Sequence, residues 1–455
     1  MNEYYGRNRT TFLEGLKQFL RIPSVSTLPA HRPDVWRAAE FVAEDLRRTG
    51  MDNVRLIEAA DAGRYPLVYA DWLHAEGKAT LLLYGHYDVQ PPDPLEEWIS
   101  PPFEPTLRGD DLFARGACDD KGQTYVLLKA LECFLLGKGK LPVNIRVLIE
   151  GEEEVGGEHI ESYVASRPDT LRSDAAVICD TEMFAPGLPT LCVGLRGIVY
   201  GELIVEGPRT DLHSGVYGGA APNPLQAAAE ILCALKGADG RIRIPGFYDM
   251  VRAPSEEERE AWARLPFDEK QYLEKEVGAT ELTGEPGIPV LERVWARPTL
   301  EVHGIRGGFT GDGAKTVIPA KALVKLSARL VPDQQPAATT RQIQEAVSAA
   351  CPRGVKAEFR LLHGGPPSLV DPRDPFVNRA AEALEQTFGR KTVFIRSGGS
   401  IPIVGLFERH LGIPSVLMGF GLPDDNLHAP NEKFHLPNFY RGIEAVGLYL
   451  RLLGG

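Results

Sequence analysis

Residues 80–92, Thr-Leu-Leu-Leu-Tyr-Gly-His-Tyr-Asp-Val-Gln-Pro-Pro, join an apolar strand-like run to a polar cluster that carries His86 and Asp88. Three more runs have the same form, an apolar segment that ends in polar sequence. These runs are Val143–Ile149, Ala175–Cys179 and Ile413–Met418. Helical patterns lie between or after them, at Gln123–Leu136, Glu158–Ser166 and Phe376–Phe388. The alternation predicts an α/β fold with a mostly parallel central sheet.

The middle of the chain has a different pattern, with elements in the order β-α-β-β-α-β. The segments are Val199–Val205, Leu225–Lys236, Thr299–His303, Leu323–Val331, Arg341–Ala350 and Val355–Leu361. This order is typical of a ferredoxin-like α+β domain, and Pro366-Pro367 marks its end. We therefore predict that residues 1–196 and 367–455 form one domain and that residues 197–366 form a second domain inserted into it.

Composition limits the partners and the compartment. The 455 residues include 50 Lys and Arg against 62 Asp and Glu, a formal charge of -12, which disfavours nucleic acid and anionic membranes as partners. The first residues lack the apolar core of a secretory signal, and no later run is apolar enough to cross a bilayer. The six cysteines show no paired spacing. We expect a cytoplasmic protein.

Polar clusters follow the predicted strands, where ligands of α/β sheets bind. Taken singly, each cluster has an ordinary reading as a turn, a helix cap or a solvated acidic face. Together they combine two histidines with several carboxylates, which are ligands that suit paired Zn, Mn or Co ions. The candidate residues are His86, Asp88, Asp119, Glu153, Glu154, Asp180 and His428.

Eight strings in the chain carry a family resemblance. They are LLLYGHYDVQPP, WISPPFEPTLRGDDLFARGACDDKGQ, EGEEEVGG, CDTEMFAPGLPTLCVGLRG, DLHSGVYGG, GAKTVIPAKALVKLSARLVP, RSGGSIP and DDNLHAPNE, in this order. The chain resembles the carnosinase and cytosolic non-specific dipeptidase family of di-metal peptidases, which is related to acetylornithine deacetylase and the glutamate carboxypeptidases. The resemblance implies a zinc-peptidase-like catalytic domain and an inserted lid and dimerisation domain.

The resemblance also implies two divalent ions per subunit. Asp119 bridges both ions, His86 and Asp180 complete the shell of one, and Glu154 and His428 complete the shell of the other. Zinc is the first choice, and manganese or cobalt are the alternatives.

Catalytic roles follow from the same resemblance. Glu153 is the general base for a hydroxide that bridges the two metals, and Asp88 orients His86. His213 reaches the active site of the other subunit, so a homodimer is expected. The peptide bond between Asp119 and Asp120 is expected to be cis.

The implied substrate is a dipeptide, or a similar short molecule, with a free C-terminal carboxylate. Thr316, Arg329 and Ser400 match family positions that hold this carboxylate, and a guanidinium suits it. Two alternative functions stay open, those of an N-acyl-amino-acid deacylase and of a carboxypeptidase of the same superfamily. So do a non-catalytic metal-binding protein on the same fold and a serine hydrolase, although the chain has no GxSxG motif.

Two positions depart from the family pattern. Gln123 and Ser397 stand where a small residue and an acid are common, and both put the substrate preference in doubt. Cys118, next to Asp119, is expected to be a buried free thiol rather than a ligand.

Overall fold

A computed structural model of the chain describes residues 2–61 and 63–455 and separates into two compact units. The first unit contains the chain up to Val193 with Val370–Ile395 and Pro402–Gly455. The second unit contains Gly194–Leu369 with Arg396–Ile401. The domains predicted from the sequence, residues 1–196 with 367–455 and residues 197–366, stay a prediction.

The elements are numbered in chain order. The strands are β1 Asp52–Ile57, β2 Leu67–Trp72, β3 Thr80–His86, β4 Thr106–Arg108, β5 Asp111–Phe113, β6 Asn144–Glu150, β7 Ala175–Ile178, β8 Thr190–Leu195, β9 Gly197–Glu206, β10 Leu212–His213, β11 Thr299–Gly307, β12 Val317–Ile318, β13 Lys321–Leu330, β14 Lys356–Gly365, β15 Ser368–Leu369, β16 Val393–Ser397, β17 Ser415–Leu417 and β18 Lys433–His435. The α-helices are α1 Asn2–Leu20, α2 Arg32–Thr49, α3 Lys121–Lys138, α4 Glu158–Ser166, α5 Ser214–Tyr217, α6 Pro224–Leu235, α7 Glu256–Ala263, α8 Glu269–Gln271, α9 Val290–Trp295, α10 Pro336–Ala350, α11 Pro375–Phe388, α12 Pro402–Leu411 and α13 Leu436–Gly454.

The large sheet has the order β1-β2-β6-β3-β7-β17-β8-β15, and β16 also pairs with β8. Its centre, β6-β3-β7-β17, is parallel. These are the four strands that the sequence predicts for the parallel sheet. The outer pairs β1-β2, β2-β6, β17-β8 and β8-β15 are antiparallel. The α/β class is thus confirmed with a mixed sheet, whose parallel part is the centre.

Burial explains why the central strands are apolar at consecutive positions. Leu81, Leu82 and Leu83 in β3 are all buried, as are Val147, Leu148 and Ile149 in β6. A strand in the middle of a sheet that is covered on both faces has no solvent side, so the alternation of polar and apolar residues is lost.

Helix α3 is buried along most of its length, from Lys121 to Leu135, which explains why apolar residues occur on all of its sides. It ends at Gly139, whose φ of 74° gives the left-handed C-cap that glycine adopts without strain. Neither α3 nor any other described helix combines the length and the apolar composition of a membrane span.

A buried ionic cluster joins α2 to α3. Lys129 Nζ donates to Asp45 Oδ1 at 2.7 Å and to Glu132 Oε2 at 2.5 Å. Arg48 adds a second cation, with its NH2 group 2.6 Å from Glu132 Oε2. Buried charges are tolerated only when they are paired in this way, so the cluster is a structural feature of the first unit.

The second unit contains a four-stranded antiparallel sheet with the order β11-β13-β9-β14. Along the chain its elements run β9, α6, β11, β13, α10 and β14, which is the predicted β-α-β-β-α-β order. Apolar residues such as Leu203, Ile231 and Ile343 form the core between the sheet and the helices α6 and α10. The expected ferredoxin-like arrangement is present.

Candidate metal centre

The parallel strands of the large sheet end at one edge, and three of the candidate residues lie at or just after those ends. His86 is the last residue of β3, Asp180 follows β7, and Glu154 lies in a short helical turn after β6. His428 is in the loop between β17 and β18, and Asp119 lies just before α3. Because the carboxyl ends of parallel strands share an edge, residues far apart in sequence meet there.

The first group contains His86, Asp119 and Asp180. His86 Nε2 lies 3.1 Å from Asp119 Oδ1 and 3.7 Å from Asp180 Oδ2. His86 is completely buried, and Asp119 is 9% exposed. One ligand atom from each of the three residues lies within 4.8 Å of the others, which is close enough to surround one ion.

The second group contains Asp119, Glu154 and His428. His428 Nε2 lies 2.8 Å from Asp119 Oδ2 and 3.5 Å from Glu154 Oε2. The Glu154 side chain is buried, whereas the His428 side chain is 54% exposed. Asp119 therefore belongs to both groups, with a different carboxylate oxygen facing a different histidine in each.

These residues fit a pair of divalent cations. His86 Nδ1 donates to the Asp88 carbonyl at 3.1 Å, so in the neutral ring Nε2 carries the lone pair. That nitrogen is buried, has no hydrogen-bond partner and faces two carboxylates. Within the described chain, no lysine or arginine forms an ion pair with Asp119, Asp180 or Glu154. A nitrogen lone pair surrounded by carboxylates favours the binding of a cation, and imidazole with carboxylate is a ligand set for zinc.

The same carboxylates also raise the affinity of the two histidines for protons. Hydrogen bonding to Asp119 and Glu154 raises the pKa of His428 to about 10. Burial acts to lower the pKa of His86, but its interactions with the Asp119 and Asp88 carboxylates outweigh burial and hold that pKa well above its usual value. Burial acts to raise the pKa of Asp119, yet His428 and His86 keep it well below its usual range. Metal binding would displace these protons.

Asp88 links the two groups. Its Oδ1 atom lies 3.4 Å from His86 Nδ1, and its Oδ2 atom accepts a hydrogen bond from the backbone N–H of Glu154 at 3.2 Å. Gln90, two residues further along, donates to Glu154 Oε2 at 2.7 Å. The segment after β3 therefore orients one histidine of the first group and the glutamate of the second.

Glu153 is placed beside both groups. Its carboxylate makes no hydrogen bond or ion pair with any residue that the structure describes. Burial raises the pKa of Glu153 to about 8, and the negative charge of Glu154 acts in the same direction. A cation pair would act in the opposite direction. Glu153 is thus a carboxylate next to the site whose oxygens are free to exchange a proton.

The peptide bond between Asp119 and Asp120 is cis, as expected. Asp120 Oδ2 accepts hydrogen bonds from the His86 backbone N–H at 3.1 Å and from the Thr124 hydroxyl at 2.6 Å. Asp120 therefore joins the start of α3 to the end of β3.

Four further candidate residues lie in the second unit, whereas the metal groups lie in the first. His213 and Thr316 are neighbours, because β10 pairs with β12 and Ser214 N–H donates to the Thr316 carbonyl at 3.1 Å. Arg329 and Ser400 form a second pair, in which the guanidinium donates to Ser400 Oγ at 2.9 Å. The roles predicted for all four stay predictions.

The residues that depart from the family pattern have structural contacts. Gln123 is buried in α3, where it donates to the Cys118 carbonyl at 3.2 Å and accepts from the Phe420 N–H at 2.7 Å. It therefore ties two loops together. Ser397 Oγ accepts from the Gly399 N–H at 3.1 Å within its own loop. Cys118 is a buried free thiol, as expected.

Sequence reasoning did not single out Gln90 or Glu432, although both lie inside the strings that carried the resemblance. Glu432 is fully buried, and its carboxylate accepts four hydrogen bonds from the segment that leads to Asp119. The signal was its position in DDNLHAPNE, four residues after His428.

A family model, individual relatives and a solved structure all match the chain over most of its length. Residues 82–452 match the family model described as Peptidase family M20/M25/M40. The chain is 33% identical over 463 residues to the Cys-Gly metallodipeptidase DUG1 of Candida albicans, covering 97% of this chain and 94% of the relative. It is 30% identical over 461 residues to the Beta-Ala-His dipeptidase of Homo sapiens, covering 98% and 91%. Among solved structures, the M20 family metallo-carboxypeptidase Sso-CP2 from Sulfolobus solfataricus superposes with a TM-score of 0.86 at 33% identity, covering 97% of this chain and 99% of that one.

Proposed function

The chain belongs to the M20/M25/M40 peptidase family, and from that premise we propose that it hydrolyses dipeptides with a free C-terminal carboxylate at a centre of two divalent ions. It is a metal-dependent hydrolase of the metallopeptidase class, as are the relatives that it matches along nearly its whole length. The observation that carries the proposal is the position of Asp119, whose two carboxylate oxygens face separate histidines.

We propose that Asp119 bridges the ions, that His86 and Asp180 hold one of them, and that Glu154 and His428 hold the other. The three carboxylates balance most of the charge of two divalent cations. Zinc suits this set of imidazole and carboxylate ligands best, and manganese or cobalt would also be accepted. When bound, such ions lower the pKa of a water molecule toward about 7 and polarise the scissile carbonyl.

Glu153 supplies the proton transfer. It takes a proton from the attacking water as the water oxygen bonds to the carbonyl carbon. It then gives that proton to the amide nitrogen as the C–N bond breaks, so the base becomes the acid of the second step. Asp88 acts on the site through its contacts with His86 and Glu154, because it fixes the ring orientation of one and the backbone of the other.

His213 is the proposed donor to the developing oxyanion. Its side chain is exposed, and its Nδ1 atom accepts a hydrogen bond from the Gly215 N–H at 3.0 Å. The neutral ring therefore carries its proton on Nε2, which leaves that N–H free to donate. The family resemblance supports a role for this residue in the active site of a partner subunit, so we also propose a homodimer.

Mixing two inactive variants tests the proposed exchange of His213. In a hybrid of His213→Ala and Glu153→Gln subunits, one of the two sites would combine an intact Glu153 with an intact His213. Random reassortment makes about half of the dimers hybrid, so about a quarter of the wild-type activity is expected to return. Activity is measured after unfolding and refolding the mixture, with each variant refolded alone as the control. No return of activity, in mixtures shown to contain hybrids, would place His213 in the site of its own chain.

We propose that Arg329 and Ser400, with Thr316, hold the C-terminal carboxylate of the substrate. Among the described residues, no carboxylate pairs with the Arg329 guanidinium, which donates to Ser400 Oγ instead. Burial lowers the pKa of Arg329, because a partly buried guanidinium is poorly solvated. A substrate carboxylate would complete this arrangement with a charge-assisted hydrogen bond.

The alternatives within the family are N-acyl-amino-acid deacylation and carboxypeptidase activity. Similarity to Sso-CP2, described as a metallo-carboxypeptidase, gives the second alternative weight. The choice depends on what lies on the carbonyl side of the scissile bond: an aminoacyl group with a free α-amine, a simple acyl group or a longer peptide.

A substrate panel decides between these activities. We expect kcat/KM for dipeptides such as Cys-Gly and β-Ala-His to exceed that for N-acetyl amino acids and for tetrapeptides by about tenfold or more, the discrimination that a few pocket contacts provide. The Glu153→Gln variant, purified in the same way, controls for contaminating peptidases. Faster turnover of the N-acetyl compounds would identify a deacylase, and faster turnover of the tetrapeptides would identify a carboxypeptidase.

A cytoplasmic location is also proposed. The six cysteines of the chain are free, four of them buried. Thiols that persist unpaired suit a reducing compartment.

A further inference from the structure

The carboxylate of Glu432 accepts four hydrogen bonds from a single segment of the chain. Its Oε1 atom accepts from the backbone N–H groups of Cys118 at 2.9 Å and Asp119 at 3.0 Å. Its Oε2 atom accepts from the Gly116 N–H at 2.8 Å and from Arg115 NH1 at 2.7 Å. Glu432 has no exposed surface, so these contacts replace the water that a carboxylate would otherwise bind.

The four donors belong to the segment that carries Asp119, whereas Glu432 belongs to the segment that carries His428. Asp119 and His428 are 309 residues apart in sequence, and their side chains are 2.8 Å apart. Two more hydrogen bonds join the same segments. The Ala114 N–H donates to the Glu432 carbonyl at 3.1 Å, and Arg115 NH2 donates to the Ala429 carbonyl at 3.3 Å.

The segment around His428 needs such support. Asn426, His428 and Asn431 have φ angles of 55°, 59° and 62°, in the left-handed region that residues other than glycine rarely adopt. A conformation of this kind persists only where the surrounding contacts determine it. Glu432 is the next residue after Asn431, and its carboxylate is fixed by the other segment.

A neutral side chain could not make the same contacts. The Glu432 carboxylate offers two acceptor atoms, and each accepts two hydrogen bonds. Glutamine would keep one oxygen and turn an NH₂ group toward two N–H donors. Arg115, which is also buried, supplies the charge that makes a buried carboxylate tolerable.

We propose that Glu432 is a positioning residue that fixes Asp119 and His428 relative to each other and thereby sets the affinity of the ion held by Asp119, Glu154 and His428. The inference rests on the proposed function, because it takes these residues as ligands. Glu432 has no part in the chemistry itself, since both of its oxygens are occupied. The ion held by His86 and Asp180 depends on it only through Asp119.

The test is a Zn²⁺ titration of metal-stripped full-length protein against a chromophoric chelator, for wild type and Glu432→Gln. We expect the affinity for one of the two Zn²⁺ ions to fall by about 10- to 100-fold, which is the usual effect of replacing a residue that orients a metal ligand. The affinity for the other ion should fall by less. The matched control is Glu132→Gln, which removes another buried carboxylate that pairs with cations, in the Lys129 cluster outside the metal groups. The control is expected to lose stability in urea but to bind both ions as the wild type does.

Arg115→Lys is the second variant, in case Glu432→Gln does not fold. It keeps the positive charge but loses the forked contacts of the guanidinium. The affinity for the same ion should therefore fall, but by less than in Glu432→Gln. Unchanged Zn²⁺ affinities in the folded variants would overturn the inference. So would an equal loss of affinity in Glu132→Gln, because the effect would then follow stability alone. A wild-type protein that fails to bind two ions would instead reject the proposed function.

Discussion

Replacing Glu153 with glutamine is expected to lower kcat by about 10²- to 10⁴-fold, which is the usual contribution of a positioned general base, while both ions stay bound. Glutamine has nearly the same shape as glutamate but does not take a proton from water. The Glu153 carboxylate has no partner among the described residues, so its replacement removes no contact that supports the ligands. Steady-state kinetics on a dipeptide, with metal analysis of the same sample, measures both effects.

Glu152→Gln is the matched control for this prediction. Glu152 is the neighbouring residue, but its carboxylate accepts from the backbone N–H groups of Tyr65 at 2.7 Å and His159 at 3.2 Å. Its replacement should therefore lower the free energy of unfolding and leave kcat close to the wild-type value. A Glu153→Gln enzyme with normal turnover would remove Glu153 from the mechanism.

Replacing Asp119 with asparagine is expected to weaken the binding of both ions and to abolish measurable turnover. The reason is the shared carboxylate, whose Oδ1 lies 3.1 Å from His86 Nε2 and whose Oδ2 lies 2.8 Å from His428 Nε2. An amide keeps one oxygen and loses the negative charge, so it should bind each ion less tightly than the carboxylate does. The measurement is the number of Zn²⁺ ions bound per chain at a fixed free Zn²⁺ concentration.

Two single-group variants are the controls for Asp119→Asn. Asp180→Asn should weaken one ion and Glu154→Gln the other, because each residue belongs to one group only. If Asp119→Asn keeps one ion at the wild-type affinity, Asp119 does not bridge the pair.

The sequence predicted the parallel centre of the sheet because those strands have the most distinctive pattern. Runs such as Leu81–Leu83 are buried on both faces, and each run ends in polar residues at the site. The antiparallel outer strands were not predicted. The short strand β15, for instance, is only two residues long and has no periodicity to detect.

The candidate ligand residues could be predicted for a similar reason. His86, Asp180 and the Glu153-Glu154 pair are close to strand ends, so strand order alone brings them together. His428 and Asp119 are in irregular segments, so their residue types made them candidates, and the family resemblance implied their roles.

The contacts of Gln123 and Glu432 could not be predicted, because they join segments that are distant in the sequence. The sequence marks Gln123 as a departure from the family pattern, and the structure adds that its amide joins the loops at Cys118 and Phe420. In the sequence Glu432 is one acidic residue among many, but its carboxylate accepts four hydrogen bonds from the segment 115–119. Periodicity and spacing along the chain contain no information on such contacts.

The most direct test is a crystal structure of the protein grown with Zn²⁺, with anomalous diffraction measured at the zinc edge. Two anomalous peaks per chain are expected, one beside His86 and Asp180 and one beside Glu154 and His428, with Asp119 in contact with both. A single peak, or two peaks of which Asp119 touches only one, would contradict the account.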